Sequence, residues 1–121
     1  MAIVPQPVTL YHNPKCGTSV KVLGLLRERG VEPAIIEYLK TPPTSAEWKA
    51  LIAKSGLGIR AFLRTKEKLY NELDLANPKW TDGQLFAHLT QHPALLNRPV
   101  VETPKAARPC RPAETVLELL A

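Results

Sequence analysis

Cys16 stands in the stretch Tyr11-His12-Asn13-Pro14-Lys15-Cys16-Gly17-Thr18-Ser19, between an apolar strand-like run and a helix-like run. A thiol at the first turn of a helix faces backbone N–H groups without partners and the positive end of the helix dipole. Both favour thiolate over thiol, and the thiolate is the nucleophile. Gly17 allows backbone to come close to a ligand, while Thr18 and Ser19 offer hydroxyls to a thiolate or a bound oxyanion. The competing reading is a small buried hydrophobe, the usual state of a lone cysteine; the loop opening at Asn13-Pro14 favours the nucleophile. A dithiol exchanger keeps its resolving thiol three residues on, and here that residue is Ser19, so the site reads as monothiol.

His12 lies four residues before Cys16. As an imidazolium it would lower the thiol pKa, and as a donor it would orient the loop; a half-buried histidine satisfied by backbone is the alternative. Arg64, Arg98 and Arg111 each stand near a proline or at the expected end of an element. Guanidinium groups present paired donors that suit tetrahedral oxyanions. Taken singly each is an ordinary surface arginine, and spacing alone does not join them. Arg98-Pro99 suggests a cis peptide. Cys110 reads as structural, Trp48 and Trp80 as packing residues. His88 and His92 share a helix face without the further ligands a metal needs, so no metal site is expected.

The elements that must position these residues follow from pattern. Val8-Thr9-Leu10-Tyr11 is a strand, a helix runs from about Gly17 to Arg29, and Ala34 to Leu39 is a second strand closed by Pro42-Pro43. Strand, helix and strand at this spacing make a parallel βαβ unit with a right-handed crossover. Capping boxes at Thr44–Glu47 and Thr81–Gln84 open two helices, and a shorter helix covers Gly58 to Arg64. Pro99 to Glu102 is a third strand, Ala106-Ala107 a short fourth, and a last helix spans about Pro112 to Leu120. The expected fold is α/β: a thioredoxin-like mixed sheet, βαβ…ββα, with a helical insert at about 44–93 between the second and third strands, the whole of 1–121 forming a single domain.

Composition narrows the class. The chain has 121 residues, 45% apolar and 22% charged, which fits one compact globular domain. Two cysteines far apart are no disulfide framework and point to a reducing cytoplasm. Met1 to Gln6 lacks the basic and apolar segments of a leader, and no apolar run is long enough for a membrane span. The net charge of +5 suggests an anionic partner, but the basic residues are dispersed, and neither nucleic acid nor a membrane is expected as partner.

From about Val8 to Leu120 the chain resembles the glutaredoxin-dependent arsenate reductases of the thioredoxin superfamily. The resemblance rests on Tyr11-His12-Asn13-Pro14 leading to Cys16-Gly17-Thr18-Ser19, then on Arg60-Ala61-Phe62-Leu63-Arg64, Gln91-His92-Pro93, Asn97-Arg98-Pro99-Val100-Val101 and Cys110-Arg111-Pro112. It implies that Arg64, Arg98 and Arg111 converge on Cys16 as an oxyanion pocket, that His12 assists the cysteine, that Gly17, Thr18 and Ser19 line the site, and that Pro99 is cis. It also implies reduction of arsenate to arsenite through a thioarsenate adduct on Cys16. Glutathione and glutaredoxin would supply the electrons to a monomer that holds no bound cofactor. Many members carry arginine four residues after the cysteine; here that position is Val20. A glutathione-linked thiol oxidoreductase or other relative would need Cys16 but not all three arginines. A redox-sensing transcription regulator would typically use Cys-x-x-Cys, against which Ser19 speaks.

Overall fold

The computed structural model describes residues 7–120. Residues 1–6, read above as carrying no leader, lie outside the described residues. β1 (Thr9–His12) is β-branched and aromatic, and runs one residue further than its pattern suggests, to include His12. It leads through a loop into α1 (Gly17–Glu28), with Cys16 as the N-cap residue. The helix ends in a Schellman motif. Val31 N–H donates to Leu26 O at 2.9 Å and Gly30 N–H to Arg27 O at 3.0 Å, with Gly30 at φ +75 in the left-handed region that glycine tolerates.

β2 (Ala34–Glu37) stops short of Leu39 because the Lys40 and Thr41 amides turn back to bond Glu37 O at 2.9 and 2.8 Å. α2 (Ser45–Ser55) and α4 (Asp82–Gln91) begin at Thr44 and Thr81, and both capping boxes are complete. Between them the expected helix at 58–64 is a 3-10 turn over Ile59–Phe62, and an unanticipated short helix, α3 (Lys68–Glu72), buries Tyr70. β3 (Val100–Glu102) and β4 (Ala107–Pro109) follow. The last helical segment is a 3-10 turn at Ala113–Thr115 that continues into α5 (Val116–Leu119).

The sheet order is β2-β1-β3-β4, with β1 parallel to β2 and antiparallel to β3, and β3 antiparallel to β4. This is the thioredoxin-like mixed arrangement. Alternation along the strands sorts the core into two layers. Leu10 and Val101 face a cluster with Val22, Leu26, Cys110 and Val116, which fastens α1 and α5 to one side of the sheet. Tyr11 and Val100 face the other cluster, built from Trp48, Phe62, Leu85, Leu89, Leu95 and Leu96 of the helical segments. Each fully buried side chain of this size contributes about 1.5–3 kcal/mol. Among the described residues no helix is long and apolar enough to cross a membrane.

Candidate active site

The register gathers the candidate residues at one end of the sheet. Tyr11 is paired with Val100, and Val100 with Pro109. One step beyond that row lie His12 on β1, the Arg98-Pro99 segment leading into β3, and Cys110-Arg111 leaving β4. The Arg98-Pro99 bond is cis, as is Arg111-Pro112, which the sequence did not suggest. Arg64 arrives by another route. Leu63 and Leu96 form an isolated antiparallel bridge, flanked by Arg64 N–H to Leu95 O and Asn97 N–H to Phe62 O, both at 2.7 Å. That bridge ties the end of the 3-10 turn to the chain just before Arg98.

Cys16 is half-buried at the helix start. Its amide donates to Asn13 O at 3.0 Å, and its carbonyl accepts Val20 N–H at 3.0 Å. Arg111 Nη1 stands 3.9 Å from Cys16 Sγ and donates to Arg98 O at 2.9 Å, so one nitrogen links the sulfur to the loop before β3. Burial pushes the thiol pKa up. The Ser19 amide, the Arg111 guanidinium, the Thr18 amide and the charge of Arg98 together outweigh it and bring the pKa below the ordinary thiol value. The two amides favour the anion by their direction toward the sulfur, without completing a cap hydrogen bond of full geometry.

His12 takes the loop-orienting part of its two expected roles, and the Ser19 hydroxyl joins it there rather than serving the thiol. Ser19 is fully buried, and its hydroxyl lies 2.6 Å from His12 Nδ1 while accepting the Asn13 N–H at 3.1 Å. The hydroxyl is therefore turned to the loop rather than to the thiol or a ligand; only the Ser19 backbone N–H serves the sulfur. Burial lowers the His12 pKa, partly offset by the Glu37 carboxylate and reinforced by the Arg27 charge, which disfavours an imidazolium beside Cys16. Its orienting role, acting through Ser19, is the one the contacts support. Thr18 is half-buried and Gly17 exposed at the mouth of the site.

The arginines are not equivalent. Arg111 touches the sulfur. Arg98 donates from Nη1 to Ala94 O and Leu96 O at 3.2 and 3.5 Å, and its charge reaches Cys16. Arg64 does not touch the sulfur; it lines an open cleft of about 520 Å³ together with Arg111, Arg60, Lys66, Thr65 and Asn97. The Nε atoms of Arg64 and Arg98 are buried without a partner. Two side chains outside the expected site set, Lys66 and Tyr38, also lie near these arginines. Tyr38, on the residue after β2, is 1% exposed, and its hydroxyl completes no hydrogen bond although the Asn13 side chain lies beside it. A tyrosine closing a strand carries no local sign of such a place. Cys110 is buried in the core, its thiol pushed up to about 12 by burial. His88 packs against Trp80 and His92, with ring centroids 4.9 and 6.5 Å away, as a packing histidine does.

A thiolate favoured by the Arg111 guanidinium at 3.9 Å and by the charge of Arg98 can attack an electrophilic centre while its oxygens are held. The family model described as "ArsC family" matches residues 11–119. The chain belongs to the ArsC family. Arsenate reductase of Escherichia coli K12 is 52% identical over 113 residues, covering 93% of this chain and 80% of that protein. Arsenate reductase of Rhizobium meliloti is 47% identical, over 93% of this chain and 81% of its own length. Among solved structures, an arsenate reductase from Vibrio cholerae superposes with a TM-score of 0.88 at 44% identity, covering 95% of this chain and 98% of that one. Within the family frame the segments around Cys16, Arg64, Arg98 and Arg111 are the parts of the chain that meet at the end of the sheet.

Proposed function

We propose that this chain reduces arsenate to arsenite, with Cys16 as nucleophile and Arg64, Arg98 and Arg111 as the oxyanion pocket. The observation that carries the reading is the Arg111 guanidinium, held 3.9 Å from a thiol at a helix N-terminus beside a cleft lined by cations. Identity near half with proteins named arsenate reductase supports the substrate.

The chemistry follows from the parts. The Cys16 thiolate attacks arsenic and an oxygen leaves as water, giving a thioarsenate adduct whose negative oxygens the guanidinium groups hold. A glutathione thiolate then attacks the Cys16 sulfur. As the S–S bond forms, the S–As bond breaks and its electron pair stays on arsenic, which leaves as arsenite. Glutaredoxin takes the glutathione sulfur from the mixed disulfide and frees Cys16. The two electrons come from thiols, so the reaction calls for no resident metal or organic cofactor. Gly17 and Thr18 edge the anion site through their backbone, while His12 and Ser19 keep the loop in shape.

The test is arsenite production from arsenate with glutathione and glutaredoxin, run beside Cys16→Ser. Turnover that disappears in the variant is expected. A wild type that makes no arsenite while Cys16 stays reactive to alkylation would overturn the proposal and favour a glutathione-linked thiol oxidoreductase.

A further inference from the structure

Cys16 has no partner thiol of its own. Ser19 occupies the position of a resolving cysteine, and Cys110 lies in the core against α1 and α5, with no exposure. The thiol that resolves Cys16 therefore comes from outside the chain, and Arg111 forms both the contact to the sulfur and a wall of the adjoining cleft.

That cleft has a marked charge. Arg60, Arg64, Lys66 and Arg111 line it together with Thr65 and Asn97, and no carboxylate does. The six ion pairs among the described residues use Lys21, Arg27, Lys40, Lys54, Lys68 and Arg108, and none of them neutralises a cleft cation. At about 520 Å³ the cleft has room for far more than a tetrahedral oxyanion; it suits a peptide of a few residues. Arg60 already donates to Leu75 O and Asn77 O at 3.0 and 3.2 Å, and Arg111 Nη1 to Arg98 O. Arg64, also outside those ion pairs, is half-buried and is assigned above to the oxyanion, whereas Lys66 is exposed and in none of those ion pairs, so its ammonium is left to meet a further ligand.

We infer that this cleft docks the resolving thiol, carried on a small carboxylate-bearing peptide of the glutathione class, with Lys66 meeting its carboxylate and Arg111 marking the end nearest Cys16. The inference rests on the Cys16 chemistry proposed above and adds where the second thiol sits. From there the incoming thiolate reaches the Cys16 sulfur: one S–S bond forms, one S–As bond breaks, two sulfurs are oxidised and arsenic gains the electron pair. Cations along the path raise the local concentration of an anionic thiol and lower its pKa, an effect that salt screens.

Two measurements test this. The first needs no arsenate: the Cys16 thiolate reacts with an aromatic disulfide bearing carboxylates and, separately, with neutral dithiodipyridine, and the ratio of the two rates is taken. Lys66→Glu is expected to lower that ratio about fivefold, Lys66→Arg to restore it, and added salt to shrink the difference. A ratio that Lys66→Glu leaves unmoved overturns the inference, whether or not the protein reduces arsenate. The second is steady-state turnover, in which Lys66→Glu should raise KM for glutathione more than KM for arsenate. An equal rise in both would overturn the inference by assigning Lys66 to the oxyanion, while leaving the arsenate reading intact. A wild type that reduces no arsenate defeats that reading alone, and the disulfide ratio still decides the cleft.

Discussion

His12 Nδ1 lies 2.6 Å from Ser19 Oγ, across the loop that carries Cys16. The same hydroxyl accepts the Asn13 amide, and Asn13 in turn accepts the amides of Lys15 and Cys16 through its side chain and carbonyl. The histidine and the serine of the cysteine motif thus act on loop geometry, and the thiol is served by the backbone and by Arg111. The physical reason is burial: a ring and a hydroxyl taken out of water satisfy each other first.

A buried neutral imidazole has a signature in stability. Burial holds the His12 pKa below its ordinary value, so between about pH 6.5 and the lower folded value the unfolded chain binds more protons than the folded one. The stability tied to the neutral ring is complete above about pH 6.5 and is lost as pH falls through the folded pKa. Urea unfolding of wild type and His12→Asn at two pH values bracketing this range should show a smaller acid loss in the variant. Equal losses would mean that another group carries the pH dependence.

For Cys16 the expectation is a thiol that titrates below the free value of about 8.5, read from alkylation rate against pH. Arg111→Ala removes the side-chain donor at 3.9 Å and should move that midpoint upward. It should also cut arsenate turnover by about a hundredfold, the scale of losing one donor to a developing oxyanion. A midpoint indifferent to Arg111 would remove this guanidinium from the activation of the sulfur.

The two cysteines should separate cleanly. Cys110 is fully buried with a thiol pushed up to about 12, so native protein is expected to consume one equivalent of iodoacetamide, at Cys16. Cys110→Ser should keep most of the activity while losing about 1–3 kcal/mol of stability from a hydroxyl placed in an apolar cluster. Cys16→Ser should be inactive and near wild type in stability. Comparable loss of activity in both variants would refute the monothiol assignment.

Val20 lies on the first turn of α1, 50% exposed. Val20→Arg removes no core packing, so its effect on stability should stay within about 0.5 kcal/mol. An added cation near the thiol should lower KM for arsenate; an unchanged KM would show that this position takes no part in anion binding.

Much of the local structure was legible in the chain. Thr44 with Glu47 and Thr81 with Gln84 announce their helices because a capping box is satisfied within four residues. The strand at Thr9–Tyr11 and the thiol at a helix start are local too. Less legible were α3, too short for a helical stripe and held by the burial of Tyr70, and the end of β2, which a turn onto Glu37 decides. The Ser19 hydroxyl, a candidate donor to the thiolate or a bound oxyanion, turns to His12 instead, because sequence gives its chemistry but not its direction.

The sequence by itself determined that Cys16 is a lone nucleophile candidate, that no resolving thiol follows it, and that the chain builds a βαβ…ββα sheet. Only the tertiary structure brought the arginines together. Arg98 and Arg111 meet because Tyr11, Val100 and Pro109 share one row of the sheet, and Arg64 joins them through the Leu63–Leu96 bridge. Interstrand register is a long-range hydrogen-bonding and packing solution. No window of sequence around any one arginine contains it.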